Sequence, residues 1–364
     1  MIVVMKKRNI VGFFICVALI AFALVLFFLN QKKHSHDEKK VVQIGAVLPM
    51  TGNLSSIGES ASHGLRMAEE YVNTYYPDRQ LKILIEDGMG NTASSISAAN
   101  KLVTIDKIST IFSIVSSVDL ALIPIHQKQG TLMFSHASHP SLSAVDSLFF
   151  RHSQTVTQEV SFVLDNVDTT SNFALCYMND DFGVAFCSAL KNSLGNEKLI
   201  SEFPFPTNET NFQTLSKKVI DSRAEKIIIC AGGKNISNLI IKLREQNYQG
   251  EIVTTLSYVV SGAGALTQDI HNLSMVNFKK AELAGDFASF VQDYEKRNGC
   301  RIGTAELIFF NSAMIVYLNS MNGITPLSVA EDIKKQSELD ILGNRVVITT
   351  TNDILPELIM ERQL

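Results

Sequence analysis

The sequence predicts an α/β protein of two lobes, each built of strand–helix units around a parallel sheet. Two observations carry that expectation. From Val41 onward, short apolar runs alternate with stretches of helical period, the pattern of parallel sheets flanked by helices. The chain has 364 residues; once its first forty are set aside, the body is too long for one ordinary core and about right for two lobes of roughly 160 residues each. A content of 46% hydrophobic and 19% charged residues, with no low-complexity tract, suits a packed globule rather than a disordered chain.

The first forty residues read as an address. Residues 10–29 form an uncharged apolar run, preceded by Lys6, Lys7 and Arg8 and followed by Lys32 and Lys33. As a helix rising ~1.5 Å per residue the run spans ~30 Å, the thickness of a bilayer's hydrocarbon core. It is longer than the ~7–15 apolar residues of a cleaved signal, and Leu26, Phe27, Phe28 and Leu29 occupy the place of a small-x-small processing site. A retained single-pass anchor in the cytoplasmic (inner) membrane is expected, N-terminus inside, with residues 34–40 as a tether. The body then lies on the periplasmic or extracytoplasmic side.

The body opens with a strand at 41–48, stopped by Pro49 and a Thr51-Gly52-Asn53 turn. Ala61, Leu65, Ala68 and Val72 follow at spacings that share one helical face, so a core-facing helix comes next. The cycle repeats with a strand at 81–85 and a helix through Ile96, Ala99 and Val103, then a strand at 110–115 and a helix through 120–125, then a strand at 131–134. After Arg151 a second series has strands at 173–178, 199–203, 226–230 and 252–255. Two longer helices are expected at 283–297 and 304–321. The chain closes with a hairpin of 346–349 and 354–360, which Pro356 confines to a sheet edge.

Charge and motifs exclude several functions. The first forty residues hold seven Lys/Arg and two Asp/Glu, which leaves the body with 25 basic against 34 acidic residues and a net charge of −9. Such a body repels nucleic acid. Cysteines at 16, 176, 187, 230 and 300 give no CxxC and no metal-ligand spacing, so neither a metal nor a cofactor is expected. Cys176 and Cys230 end apolar runs and read as buried small hydrophobes. Gly232-Gly233-Lys234 lacks the first glycine and the Ser/Thr of a phosphate loop, and no GxSxG elbow is present. Catalysis is not expected.

In parallel sheets ligands bind beyond the carboxyl ends of strands, where helix N-termini present free amides. Two such loops stand out: Ser116-Ser117-Val118-Asp119 after the third strand and Ser135-His136-Ala137-Ser138-His139-Pro140 after the fourth. Both are equipped to grip an anion or carboxylate.

At these residues the chain resembles the type I periplasmic binding proteins, and among them the branched-chain amino-acid (Leu/Ile/Val) binding group of ABC transporter substrate-binding proteins. The likeness runs from about Val41 to Leu364. It rests on IGAVLPMTGNLSSIGESASHGLRMAEEYVN, then IEDGMGNTASSISAANKLV, SIVSS, GTLMFSHASHP, YMNDDFG and IICAGGKN, in order. The resemblance implies two doubly wound lobes joined by a three-crossing hinge, with crossings near 151–154, 278–281 and 322–326. Lobe 1 would then be 41–152 plus 280–323, and lobe 2 would be 153–279 plus 324–364. It implies carboxylate donors at Ser116 and Ser117 and a second carboxylate loop at Ala137, Ser138 and His139. Ile57, Phe182 and Lys234 would stand where aromatic residues commonly line the cleft. The acid that pairs a ligand ammonium in the family's amino-acid binders falls at Leu256, Ser257 or Tyr258, none of them acidic.

The function implied is a membrane-tethered solute-binding protein that presents a small polar or amino-acid-like ligand to an ABC permease. The alternative is a binding-fold sensor or protein-partner regulator with no transport role.

Overall fold

A computed structural model describes residues 40–195 and 197–363. The anchor and tether expected over the first forty residues lie outside these, save Lys40, which opens the first strand. No helix among the described residues is long and apolar enough to cross a membrane.

The first lobe begins β1 (Lys40–Leu48), α1 (Ser55–Tyr75), β2 (Arg79–Asp87), α2 (Thr92–Asn100), β3 (Thr110–Ser113), α3 (Ser116–Gln129), β4 (Leu132–Ser135) and β5 (Phe149–Arg151). Its five strands lie in the order β2-β1-β3-β4-β5 and all pair in parallel. The second lobe runs α4 (Val156–Asn166), β6 (Phe173–Met178), α5 (Asp181–Leu194), β7 (Leu199–Phe205), α6 (Gln213–Asp221), β8 (Lys226–Cys230), α7 (Lys234–Glu245), β9 (Glu251–Thr254), α8 (Leu256–Val260), α9 (Gly264–Thr267) and β10 (Leu273–Phe278). The chain then returns through α10 (Gly285–Asn298), α11 (Thr304–Leu318) and α12 (Pro326–Lys334) to a small sheet of β11 (Glu338–Ile341), β12 (Asn344–Ile348) and β13 (Ile354–Pro356). It ends in β14 (Leu358–Gln363), which pairs antiparallel with β10 and makes the second sheet β14-β10-β9-β8-β6-β7.

The apolar face read in α1 is buried: Ala61, Leu65, Ala68 and Val72 all face the core. Tyr71 on the same helix meets Phe287, Phe290 and Phe310 edge-on with ring centroids 5.1–5.7 Å apart, clamping α1 to α10 and α11. Gly64 allows that approach, because a Cβ there would stand 2.0 Å from the Glu306 carbonyl oxygen. Helix α2 departs from the expected face. It passes into a π turn at Lys101–Ile105, so Ala98, Ala99 and Leu102 turn inward while Ile96 is left exposed. Cys176 and Cys230 sit buried in β6 and β8, unpaired among the described residues.

The third crossing differs from expectation. The hairpin of β12 and β13 is present, with Pro356 on the edge strand. Val329, Ile333, Val346 and Ile354, however, share a core with Phe112 and Phe134 of the first lobe. Residues 326–356 therefore pack on lobe 1 rather than lobe 2, and the chain crosses at Glu357, not near 322–326. The run 354–360 reads as one strand in sequence but is two, split where it changes sheet. Arg151 pins the first crossing to this hairpin: its buried guanidinium lies 2.8 Å from the Asp353 carboxylate.

Candidate functional site

Six strand ends converge on one cavity. Leu54 and Ile57 come from the β1–α1 corner, Ser116 from the turn after β3, and Ala137 and Ser138 from the turn after β4; Asp180 and Phe182, Gly232, and Leu256 with Ser257 follow β6, β8 and β9. Their contributions from both lobes enclose about 100 Å³, somewhat less than the ~150 Å³ of a cavity known to take benzene. Leu54 packs against the cores of both lobes, so the cleft is shut.

Most of the wall is hydrocarbon: Ile57, Ile114, Met178, Phe182, Phe278 and Phe309 among others. The polar groups are few. Helix α3 starts at Ser116 without a side-chain cap, so its first amides are free toward the cleft. Val115, just before it, has φ 89°, a left-handed backbone that costs a β-branched residue of order 1–3 kcal/mol and is typical of places where function over-determines structure. Asp180 is the one acid in the wall among the described residues. Its carboxylate accepts from the Gly183 amide at 2.8 Å to cap α5, and burial raises its pKa.

Two histidines lie behind the serine loops. His136 and His152 are buried, line the cavity, and share the hydroxyl of Ser312 at 2.8 and 2.7 Å. Burial lowers the pKa of His136 to about 4 and holds His152 well below the ordinary value, with His136 adding to the effect on His152. Both are neutral at pH 7, so neither supplies positive charge to an anion. Asp119, in the first turn of α3, is fully buried behind the cleft, where it accepts a hydrogen bond from Ser135 Oγ; burial raises its pKa to about 7.

Of the residues picked from sequence, Ile57, Ser116, Ala137, Ser138 and Phe182 come together at the cavity. Four others do not. Ser117 is half-buried in the first turn of α3, outside the wall. His139 spends Nδ1 accepting from the Ser141 amide, capping a short turn. Lys234 is exposed at the start of α7. Tyr258 points into the second core, its hydroxyl 2.5 Å from Thr267 Oγ1. Sequence reasoning reaches His152 only as a member of the first crossing, near 151–154, and gives it no role. Among the described residues no cluster of His, Cys, Asp and Glu is arranged to hold a metal.

Comparison with known proteins agrees with this architecture. The family model described as "Periplasmic binding protein" matches residues 41–351. A search of the curated proteins finds no match. The branched-chain amino-acid transporter substrate-binding protein LivJ from Streptococcus pneumoniae, solved with isoleucine, superposes with a TM-score of 0.79 at 15% identity, covering 89% of this chain and 96% of that one. The leucine-binding protein LivK from Thermotoga maritima gives 0.75 at 15%, covering 88% and 94%. An ABC transporter solute-binding protein from R. palustris in complex with benzoate gives 0.76 at 13%, covering 89% and 93%. These likenesses show the shared fold. The chain therefore belongs to the periplasmic binding protein family, whose members bind ligands without catalysis, and it has the type I fold of the Leu/Ile/Val-binding group.

Proposed function

We propose that this protein is an extracytoplasmic solute-binding protein, tethered by its N-terminal residues, that closes two lobes on a small carboxylate and presents it to an ABC permease. The observation that carries this reading is the uncapped start of α3 at Ser116, held by strained Val115 and set in an apolar wall. Free amides and a hydroxyl there suit a carboxylate, and the hydrocarbon around them suits an aliphatic or aromatic remainder. Ser138 faces the same space from the neighbouring loop.

The relatives solved with isoleucine and with benzoate bracket the choice between an amino acid and a simple acid. This chain favours the simple acid. Leu256, Ser257 and Tyr258 offer no carboxylate to an ammonium, and Asp180 is already engaged in capping α5.

The test is calorimetry on the full chain in detergent. The panel contains leucine, isoleucine, valine, 4-methylpentanoate, 2-hydroxy-4-methylpentanoate, benzoate and 4-hydroxybenzoate. Binding of an amine-free acid that weakens in Ser116→Ala supports the proposal. Silence across the panel, with no ligand density between the lobes of protein purified from its own host, moves the reading to a sensor or partner-binding module.

A further inference from the structure

The hydrogen bonds behind the cleft determine which ring nitrogen of His152 carries a proton. The carbonyl of Ser113 only accepts, so His136 Nδ1, 3.1 Å from it, bears the proton of that ring. A neutral imidazole has a single N–H, so His136 Nε2 is a lone pair, and the Ser312 hydroxyl 2.8 Å away donates to it. With its only proton spent there, Ser312 Oγ accepts from His152 Nδ1, 2.7 Å away on the other side. His152 then has Nδ1–H, and its Nε2 is a bare lone pair.

That nitrogen is buried and has no hydrogen-bond partner among the described residues. Its ring lies in the cavity wall at the first crossing between the lobes, where the neighbouring surface is largely hydrocarbon. Of the three residues in the relay, Ser312 and His136 complete their bonds within the protein. Among these three, His152 alone keeps an unused polar atom, on a ring that lines the cleft. A buried acceptor without a donor is costly, and structures retain few of them without a reason.

We infer that His152 Nε2 is the specificity group of the cleft, accepting a hydrogen bond from an uncharged hydroxyl on the ligand, so that a hydroxy acid is preferred to its parent acid. The inference rests on the carboxylate-binding reading above and adds a second polar point to it. A hydroxyl fits better than an ammonium because a neutral imidazole supplies a lone pair but no counter-charge. Relay geometry, not the histidine alone, makes the site: exchange of the Ser113 carbonyl for a donor would reverse every tautomer along it.

Three measurements on the full chain test this. First, ¹⁵N NMR of His152 at pH 7 is expected to show Nδ1 protonated and Nε2 bare; a protonated Nε2 overturns the inference whatever binds. Second, calorimetry compares 2-hydroxy-4-methylpentanoate with 4-methylpentanoate, and 4-hydroxybenzoate with benzoate. In at least one pair the hydroxylated member should bind about 10–100-fold tighter, the span of a hydrogen bond made in a dry site. Third, His152→Asn keeps a donor toward Ser312 but removes the Nε2 position, and should erase the preference, whereas His152→Gln places an amide oxygen there and should restore part of it. Melting curves of both variants establish that each is folded. Equal affinity within both pairs overturns this inference while leaving the carboxylate reading intact. Absence of binding by every acid overturns both.

Discussion

Asn53 of the first lobe donates through Nδ2 to the Thr207 carbonyl of the second, 3.2 Å away. Thr207 O also takes the Asn235 amide at 3.0 Å, which fixes the acceptor from within its own lobe. The bond exists only while the lobes are together. Asn53→Ala should therefore weaken ligand binding about 3–10-fold, the worth of one neutral hydrogen bond, and shift the scattering-derived radius toward an open form. Unchanged affinity and radius would mean that the contact merely accompanies closure.

Ser116→Ala should lower affinity for a carboxylate by about 10–150-fold without unfolding the protein. A hydrogen bond to a charged group is worth about 1.5–3 kcal/mol, and the side chain sits at the cavity wall rather than in a core. Calorimetry paired with a melting curve checks it. A lower melting temperature with unchanged affinity would assign Ser116 to the helix alone.

Gly64→Ala should destabilise the first lobe by at least ~2 kcal/mol. The new Cβ would stand 2.0 Å from a backbone oxygen of α11, so the helices must part and their aromatic cluster loosen. Denaturant titration reads the loss; a neutral result would contradict the close crossing of α1 and α11.

The buried titratable groups give opposite pH dependences. Asp119, raised from 3.8 to about 7 by burial, keeps its proton in the folded state, so its contribution to stability falls as pH rises from about 4 through 7. His136, lowered from 6.5 to about 4, favours the folded state when neutral, and its contribution is lost as pH falls from 6.5 through 4. Asp119→Asn removes only the first effect. Its stability relative to the native protein should be greater at pH 7.5 than at pH 4.5, by about 3 kcal/mol at about 1.4 kcal/mol per pKa unit. A pH-independent difference would contradict a protonated Asp119.

Much of the architecture is visible in the chain. Strands β6 and β8 lie where unbroken apolar runs end abruptly in polar loops, because a doubly covered strand leaves no polar position to confuse the pattern. Strand β10 escaped because Ser274 and Asn277 interrupt its run, although both are buried. Strand β5, three residues long, was too short to read. The same division holds at the site. Ser116 and Ser138 are legible because strand ends predict them. His152 is not, because its significance comes from Ser312, 160 residues away in sequence, and from a tautomer set by a backbone carbonyl on another strand. The resemblance places Tyr258 and Lys234 at the cleft, but each lies on a helix, Tyr258 facing the second core and Lys234 the solvent.

On the proposed reading the cleft takes a carboxylate but not the ammonium of an amino acid. Closing the lobes strips water from that ammonium, and a buried charge without a partner costs several kcal/mol against the about 8 kcal/mol of a micromolar complex. The decisive measurement is calorimetry of the full chain with leucine and with 4-methylpentanoate, which is leucine without its amine. The acid and its hydroxylated partner should give heat and saturable binding, with leucine at least about 100-fold weaker. Micromolar binding of leucine, equal to or tighter than the acid, would contradict it and turn attention to Asp180 as the ammonium's counter-ion.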